Sequence, residues 1–455
     1  MKKLRILLAC LASRMIRVLL RLMGRGGTAI PGKVALKLYP GLLRELGRRV
    51  DTVLITGTNG KTTTAGMLRH MLDSTKTPYF SNRTGANLTS GITAEFIENA
   101  SLLGVPRKRL AVIECDEGNV PSAAEALQPK AILVTNLFRD QLDRYGDVAQ
   151  TRAYIAEGIR RAPDAVLCLN ADEPLTASLG RNVPNRVLWY GVNGVASEKT
   201  VPVNEVSSCV DCAEPLDYRR VVYAHLGDWH CPHCGAERPM PQLAVESVET
   251  GAEGSRVKLA TPQGALEFTV ALQALYNVYN AAAALTAAEA LGWELPACAA
   301  ALESFRAVFG RMESMKLGDT PVQIVLVKNP AGCDRALEYL LTLPEETFPV
   351  FSLNDNTGDG KDISWIEEAD FESVFAARQY PRIGVGGLRG ADLRDRLIRA
   401  GADAASIELY ESVDALCAAV QSSTVPVLVM PNYTAMLAVR DKLAVLAGGK
   451  KYWEN

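Results

Sequence analysis

Ile55-Thr56-Gly57-Thr58-Asn59-Gly60-Lys61-Thr62-Thr63-Thr64 follows the short apolar run Val53-Leu54-Ile55. It leads into a stretch with Met67, Leu68, Met71 and Leu72 at helical spacing. Strand, glycine-rich turn, Lys-Thr and helix is a layout that holds nucleotide phosphates. The glycines let backbone N–H groups close on the anion, and the helix N-terminus adds its positive dipole end. In this reading residues Gly57, Thr58, Asn59, Gly60, Lys61, Thr62 and Thr63 bind ATP. Lys61 reaches the β/γ-phosphates and the Thr62 hydroxyl sits on Mg²⁺.

The Walker A pattern asks for glycine where this chain has Ile55. The shorter form, Gly57-x-x-Gly60-Lys61-Thr62-Thr63, resembles the ATP loop of the Mur ligase superfamily. Membership implies activation of a carboxylate as an acyl phosphate, followed by attack of an amine.

Outward from this loop, strand candidates at Thr52–Thr56, Leu110–Cys115, Ala131–Asn136 and Ala165–Asn170 alternate with helical segments. They predict a mostly parallel sheet with helices on both faces. Val257–Leu259 and Leu266–Val270 read as a hairpin returning to that domain, and Leu275–Leu291 as an Ala-rich helix. A second series begins near residue 320, at Gln323–Val327, Val350–Leu353, Ile383–Gly386, Ile407–Tyr410 and Val425–Met430. The expected organisation is a helical leader over 1–50, an α/β P-loop ATPase domain over 51–315 with an insert at 205–237, and a C-terminal Rossmann-like α/β domain over 316–455. A hinge is expected between about 315 and 320, because an acyl phosphate must be closed off from water.

The 455 residues suffice for two or three cores, and 48% apolar with 22% charged residues is a globular composition. A net charge of −2 argues against bulk nucleic-acid binding. Met1 to Met23 is apolar and basic, and its uncharged run Ile6–Ser13 is too short to span a bilayer. It reads as an amphipathic helix that packs on the next domain or lies on an anionic membrane face. Six of ten cysteines are scattered, which fits a reducing cytoplasm.

The other four are Cys209-x-x-Cys212 and, after 18 residues, Cys231-x-x-Cys234. This is zinc-ribbon spacing, and four thiolates close the shell, so the zinc is structural. His230 and His233 flank the second pair as alternative ligands. Of the four histidines only His70 lies outside this segment, and it reads as a surface or packing residue. No histidine is placed for a Cys-His or Ser-His pair, so a hydrolytic half-reaction of that type needs a partner.

Glu114 ends the strand in Ala111-Val112-Ile113-Glu114-Cys115-Asp116-Glu117. A carboxylate at a strand's C-terminal end can hold Mg²⁺; the bland alternative is a solvated strand-end charge. Further stretches carry the resemblance. Arg139 to Gly146 is similar to a Mur segment, with Gln141 at the usual histidine. Residues 141–170 contain no lysine, and Ile155 stands near the place of the family's carbamylated lysine, which puts a second metal in doubt. Tyr276-Asn277-Val278-Tyr279-Asn280 resembles the stretch that faces adenine, which implies Asn277 there. Gly310-Arg311-Met312-Glu313 resembles an element that offers Arg311 to phosphate. Lys328-Asn329-Pro330 takes the place of a longer Mur element that ends in Asn-Pro.

Three features single out a branch. The phosphate loop starts near residue 57, without the nucleotide-sugar domain that precedes it in most Mur ligases. The cysteine ribbon interrupts the central domain. The C-terminal domain carries Leu353 to Ile366, with Asp359-Gly360-Lys361-Asp362-Ile363-Ser364-Trp365, and later Pro431 to Met436. Together these resemble the MurT family, ligase subunits of the bacterial lipid II isoglutaminyl synthase. The resemblance implies a cytoplasmic ligase at or near the inner membrane face. It uses ATP, Mg²⁺ and structural Zn²⁺ to amidate the α-carboxyl of D-Glu in lipid II, with ammonia from a GatD-type glutamine amidotransferase in a heterodimer. It implies Lys61, Glu114 and Asp362 as catalytic residues, Asp362 beside the partner's Cys-His pair. A loop-capping role for Asp362 is the alternative, and Asp359 the other candidate. Rival readings are a stand-alone ligase of folylpolyglutamate type and a non-catalytic ATP-binding scaffold.

Overall fold

The computed structural model describes residues 2–22, 29–82, 86–138, 148–194, 208–223, 225–251, 254–272, 274–306, 311–356 and 359–448. They fall into two compact units, residues 1–138 with 147–305, and residues 306–455 with 139–146.

Among the described residues the first unit carries a nine-stranded sheet in the order β11-β10-β9-β6-β5-β4-β1-β3-β2. Its strands are β1 (Asp51–Thr56), β2 (Phe80–Ser81), β3 (Leu110–Glu114), β4 (Ala131–Val134), β5 (Val166–Asn170), β6 (Val187–Val192), β9 (Leu243–Gly251), β10 (Gly254–Thr261) and β11 (Gly264–Val270). Pairing from β2 through β9 is parallel, and β9-β10-β11 is antiparallel. The central strands are short runs of Val, Ile, Leu and Ala with no exposed face: Val53, Leu54, Ile55, Ile132 and Leu133 are fully buried. That is the signature of parallel strands covered by helices on both sides. β1 lies between β3 and β4, so the chain leaves it in both directions. This switch point opens a crevice at the strands' carboxyl ends.

The predicted strands and the hairpin over β10 and β11 are present, and the Ala-rich helix runs Leu275–Ala290. The leader forms the helix Lys2–Leu22, which buries Ile6, Ala9, Cys10 and Ser13. It is pinned by Arg14, whose guanidinium donates to the carbonyls of Ile97 (3.0 Å) and Ala100 (2.5 Å) at the end of the helix Thr89–Asn99. Ile155, at the place of the family's lysine, is fully buried in the apolar core under the helix Val148–Arg161.

The cysteine segment leaves the sheet after β6 and returns at β9, β6's parallel neighbour. It contains a separate antiparallel hairpin, β7 (Asp217–Tyr223) with β8 (Leu226–His230). A small cluster of Leu216, Trp229, Cys209, Cys231 and Ala177 fills it.

The second unit has a six-stranded sheet ordered β12-β13-β17-β14-β15-β16. These are β12 (Arg311–Leu317), β13 (Thr320–Val325), β14 (Phe348–Ser352), β15 (Ile383–Gly386), β16 (Ile407–Tyr410) and β17 (Val427–Pro431). All pairings are parallel except β12 with β13. The stretch expected as a hinge, 315–320, is the turn of the β12–β13 hairpin, and the boundary placed at 315/316 falls inside β12. Glu313 belongs to this second sheet, where its carboxylate accepts from Arg440 at 3.0 Å.

Candidate active site

The phosphate loop sits where the topology opens the crevice. Gly57 has φ +123°, and a Cβ there would lie 2.3 Å from the Thr135 hydroxyl. Gly60 has φ +84° and caps the helix Lys61–Ser74; a Cβ there would lie 2.2 Å from Asn280 Oδ1. Both positions need glycine for backbone conformation and for close approach. Met67, Leu68, Met71 and Leu72 all face inward, as their spacing predicts.

The turn is braced by residues remote in sequence. The Thr58 amide donates to the Asn136 carbonyl at 2.8 Å, and the Asn59 amide to Asn136 Oδ1 at 2.9 Å. The Thr135 hydroxyl and the Asn136 side-chain amide donate to the Asn59 carbonyl at 2.6 and 3.1 Å. The Thr58 hydroxyl donates to the Phe138 carbonyl (3.1 Å) and accepts from the Phe138 amide (3.0 Å). The loop is therefore preorganised by β4's end, and its shape does not wait on a ligand.

Two acids face the two chemical residues of the loop. The Lys61 ammonium pairs with Glu117 at 2.7 Å and also donates to the Gly57 carbonyl. The Thr62 hydroxyl donates to Glu114 Oε2 at 2.8 Å, and Arg69 stands 3.7 Å from the other Glu114 oxygen. Glu114 and Glu117 are nearly inaccessible, at 3% and 6% exposure, so neither is a solvated strand-end charge. Asn82 fixes the end of β3 by donating to the Glu114 carbonyl (2.8 Å) and accepting its amide (3.0 Å). Thr62 and Glu114 thus present two hard oxygen donors side by side, which suits Mg²⁺.

The helix Leu275–Ala290 approaches the same loop. Asn280 accepts from the Thr64 hydroxyl at 3.4 Å and donates to Asn277 Oδ1 at 3.4 Å. Asn277 and Asn280 are both buried. Glu117 and Asn280 are functional candidates that the sequence reading quoted without assigning. Each lies three residues beyond a residue it chose, in the same short stretch. Arg311 opens β12, and its side chain lies outside the described residues, as does the segment around Gln141.

The four ribbon cysteines converge, their sulfurs all within 4.8 Å of one another. Cys209 Sγ and Cys234 Sγ are 3.6 Å apart, Cys212 Sγ and Cys231 Sγ 3.5 Å. A tetrahedron with metal–sulfur bonds of about 2.3 Å has edges close to these distances. The two knuckles are built alike: Ala213 N donates to Cys209 O and Gly235 N to Cys231 O, with Ala213 and Gly235 at φ +63° and +75°. The amides of Cys234 and His233 pull the Cys231 thiol down to about 7. The histidines are not part of this set.

Beneath the ribbon lies a buried polar junction with the sheet. Arg238 donates to Asp172 Oδ1 at 2.6 Å, while Asp172 Oδ2 accepts from the Tyr279 hydroxyl (2.6 Å) and the Val192 amide (2.8 Å). Burial raises the Asp172 carboxyl even so, against the opposing pull of Arg238. Fully buried His225 reaches Glu173 at 3.3 Å. His70 packs on Phe305 and meets the Ser304 hydroxyl at 2.9 Å, a packing role.

In the second unit, Asp362 is exposed, and its Oδ1 accepts from the Ser364 amide at 2.8 Å, the loop-capping contact. Asp359 turns inward: it accepts from the Thr434 amide (2.7 Å) and hydroxyl (2.5 Å), and burial raises its carboxyl. Asn329 is buried and caps the helix Pro330–Thr342 through the Gly332 amide.

Comparison with known proteins follows this anatomy. The family model described as Mur ligase middle domain matches residues 55–220, and that described as MurT ligase C-terminal matches residues 326–436. The pseudomurein peptide ligase type C of Methanothermus fervidus superimposes with a TM-score of 0.64 at 20% identity, over 86% of this chain and 78% of that one. The folylpolyglutamate synthase of Mycobacterium tuberculosis complexed with ADP gives 0.62 at 15%, over 97% and 100%. At these identities the likeness is one of fold. The MurT subunit of lipid II isoglutaminyl synthase (glutamine-hydrolyzing) from Streptococcus pneumoniae is 33% identical over 442 residues, 96% of each chain. Its counterpart in Staphylococcus aureus strain COL is 32% identical over 95% of this chain and 96% of that one. With both halves matched and the kinship running almost end to end, this chain belongs to the MurT family of Mur-type ligases.

Proposed function

We propose that this chain is the ATP-dependent ligase subunit that amidates the α-carboxyl of D-Glu in the lipid II stem peptide. The carboxylate oxygen attacks the γ-phosphorus of ATP and ADP leaves, giving an acyl phosphate. Ammonia then attacks the acyl carbon, phosphate leaves with the C–O bond electrons, and a proton is lost to give D-isoglutamine. The observation that carries this reading is the preorganised loop whose Lys61 and Thr62 are each met by a buried acid, in a chain of the MurT family.

Each residue has a task. The amides of the loop and Lys61 neutralise charge on the transferring phosphoryl group. Glu117 holds Lys61 extended across the turn, ready to exchange a carboxylate partner for phosphate oxygens. Thr62 and Glu114 would hold Mg²⁺, which supplies further charge neutralisation when bound. Asn277 and Asn280 border the nucleotide side of the loop. The four cysteines would hold a structural Zn²⁺.

Ammonia is assigned to a GatD-type glutaminase partner in a heterodimer. Burial pushes the thiols of Cys115, Cys168 and Cys333 up, which removes them as nucleophiles. Exposed Asp362 is the carboxylate that would orient the partner's imidazole, whereas Asp359 is committed to Thr434. The reaction belongs to the cytoplasmic side, where ATP and glutamine are available.

The test is amidation of lipid II with ATP and glutamine, with and without the glutaminase. The expected result is product from glutamine only with the partner, lost in Asp362→Asn and partly restored by ammonium salt. ATP consumption driven by free amino acids, without amidation under any condition, would replace this reading with a stand-alone ligase of folylpolyglutamate type.

A further inference from the structure

The leader helix Lys2–Leu22 is oriented the reverse way from an ordinary surface helix. Such a helix turns its large apolar side chains to the core. Here the packed face is made of Ile6, Ala9, Cys10 and Ser13, mostly small residues. The large ones, Leu4, Leu8, Leu11, Met15, Val18 and Leu22, recur at helical spacing and are 38% to 79% exposed. The orientation is fixed, because Arg14 is tied to the carbonyls of Ile97 and Ala100, and Arg17 pairs with Glu95 at 3.0 Å. The helix cannot roll its stripe inward without breaking these bonds.

The charge around the stripe has one sign. The helix holds six lysines and arginines and no acid. Over residues 1–50 there are twelve basic side chains and one acidic, Glu45, in a chain whose total is −2. Lys2, Lys3 and Arg5 are exposed, and the adjoining helix Ala29–Leu38 adds exposed Ile30, Lys33, Lys37 and Leu38. Among the described residues no helix is long and apolar enough to cross a membrane.

We propose that this helix is a membrane-contact element. Its stripe lies in the interfacial region of an anionic bilayer, and the lysines and arginines around it meet the lipid phosphates. An apolar stripe set in a field of basic charge is complementary to that surface. A second copy of this chain fits poorly, since apposing two such helices would bring like charges together. The inference does not depend on the amidation reading, because vesicle binding is measured without ATP or lipid II.

The experiment is flotation of the full-length protein with vesicles of phosphatidylglycerol and phosphatidylcholine, against phosphatidylcholine alone. Binding is expected to the anionic vesicles and to weaken as salt is raised. The triple variant Leu8→Gln, Met15→Gln, Leu19→Gln is expected to lose binding roughly tenfold or more, with its thermal unfolding unchanged. As an independent probe, Leu11→Trp should shift its emission to the blue only with anionic vesicles. If the triple variant does not fold, Lys2→Gln, Lys3→Gln, Arg5→Gln serves in its place and should weaken binding to anionic vesicles. Absence of flotation, or flotation unaffected by either variant, overturns the proposal. A concentration-dependent dimer dispersed by the triple variant, without vesicle binding, overturns it in favour of a second copy.

Discussion

The phosphate loop and the cysteine ribbon are both tight turns with positive-φ residues, yet they are held in opposite ways. The loop's partners are distant in sequence: Thr135, Asn136, Glu114, Glu117 and Asn280 come from two strand ends and a helix of the same unit. Each ribbon knuckle is closed by its own backbone, Ala213 to Cys209 and Gly235 to Cys231. Only a small cluster around Trp229 lies beneath the ribbon. The loop is therefore rigid by virtue of the sheet it ends, and the ribbon by virtue of the ion its thiols can share. Preorganisation suits a site that must meet developing charge without rearranging, whereas a closed thiolate shell suits a scaffold.

Stripping the metal should separate the two most sharply. Apparent binding energies of structural zinc are on the order of 10 kcal/mol, so a chelator or Cys231→Ser should release one zinc per chain and unfold β7 and β8. Hydrogen exchange should then show lost protection at 208–238 and retained protection at 57–64. Equal loss at both would break the comparison.

Lys61→Ala should lower kcat for ATP-dependent amidation by roughly 10³-fold, the scale of removing one preorganised charge donor, while leaving thermal unfolding nearly unchanged. A catalytically neutral result would also revive the scaffold reading, since a scaffold needs no transferred phosphoryl group.

Arg238→Met tests the seam between the two regions. Removing one partner of a buried ion pair leaves Asp172 uncompensated and should cost about 3 kcal/mol. The Asp172 carboxyl is already raised by burial, and the substitution raises it further. The folded state then favours the protonated form, so the loss should be largest at neutral pH and shrink on acidification. A pH-independent loss would mean that packing, rather than charge, carries the junction.

The smallest effect supplies a background slope outside both regions. Burial raises Asp334 to about 6, above the ordinary 3.8. A folded value above the unfolded one means stability is fullest at low pH and declines as pH rises through about 6. Asp334→Asn should flatten that decline in unfolding midpoints measured from pH 4 to pH 7. A decline that persists belongs to another group.

Much of this was legible because the signals are local. The strand–loop–helix order fixed the nucleotide turn, and the cysteine spacing fixed the ribbon, down to which four side chains meet. What escaped was what depends on distance. β6 and β9 sandwich the insert, with Trp189 half-buried on β6, and they lack the clean apolar run that marks β1 or β4. Glu117 lies beyond the strand in a short helical turn, and nothing in its neighbours distinguishes it from Asp116, which is also buried.

The sequence by itself determined the two α/β sheets, the site of phosphate binding and the metal set. These rest on periodicity, on glycine's access to positive φ and on thiolate spacing, all properties of short stretches. Tertiary structure alone decided that Glu117 answers Lys61, that Asn280 touches Gly60, that Ile155 fills core where a lysine might be sought, and that the leader turns its leucines outward. A burial pattern names a helix's two faces. Which of them meets the core depends on the neighbour, here Arg14 and the carbonyls it reaches across more than eighty residues of chain.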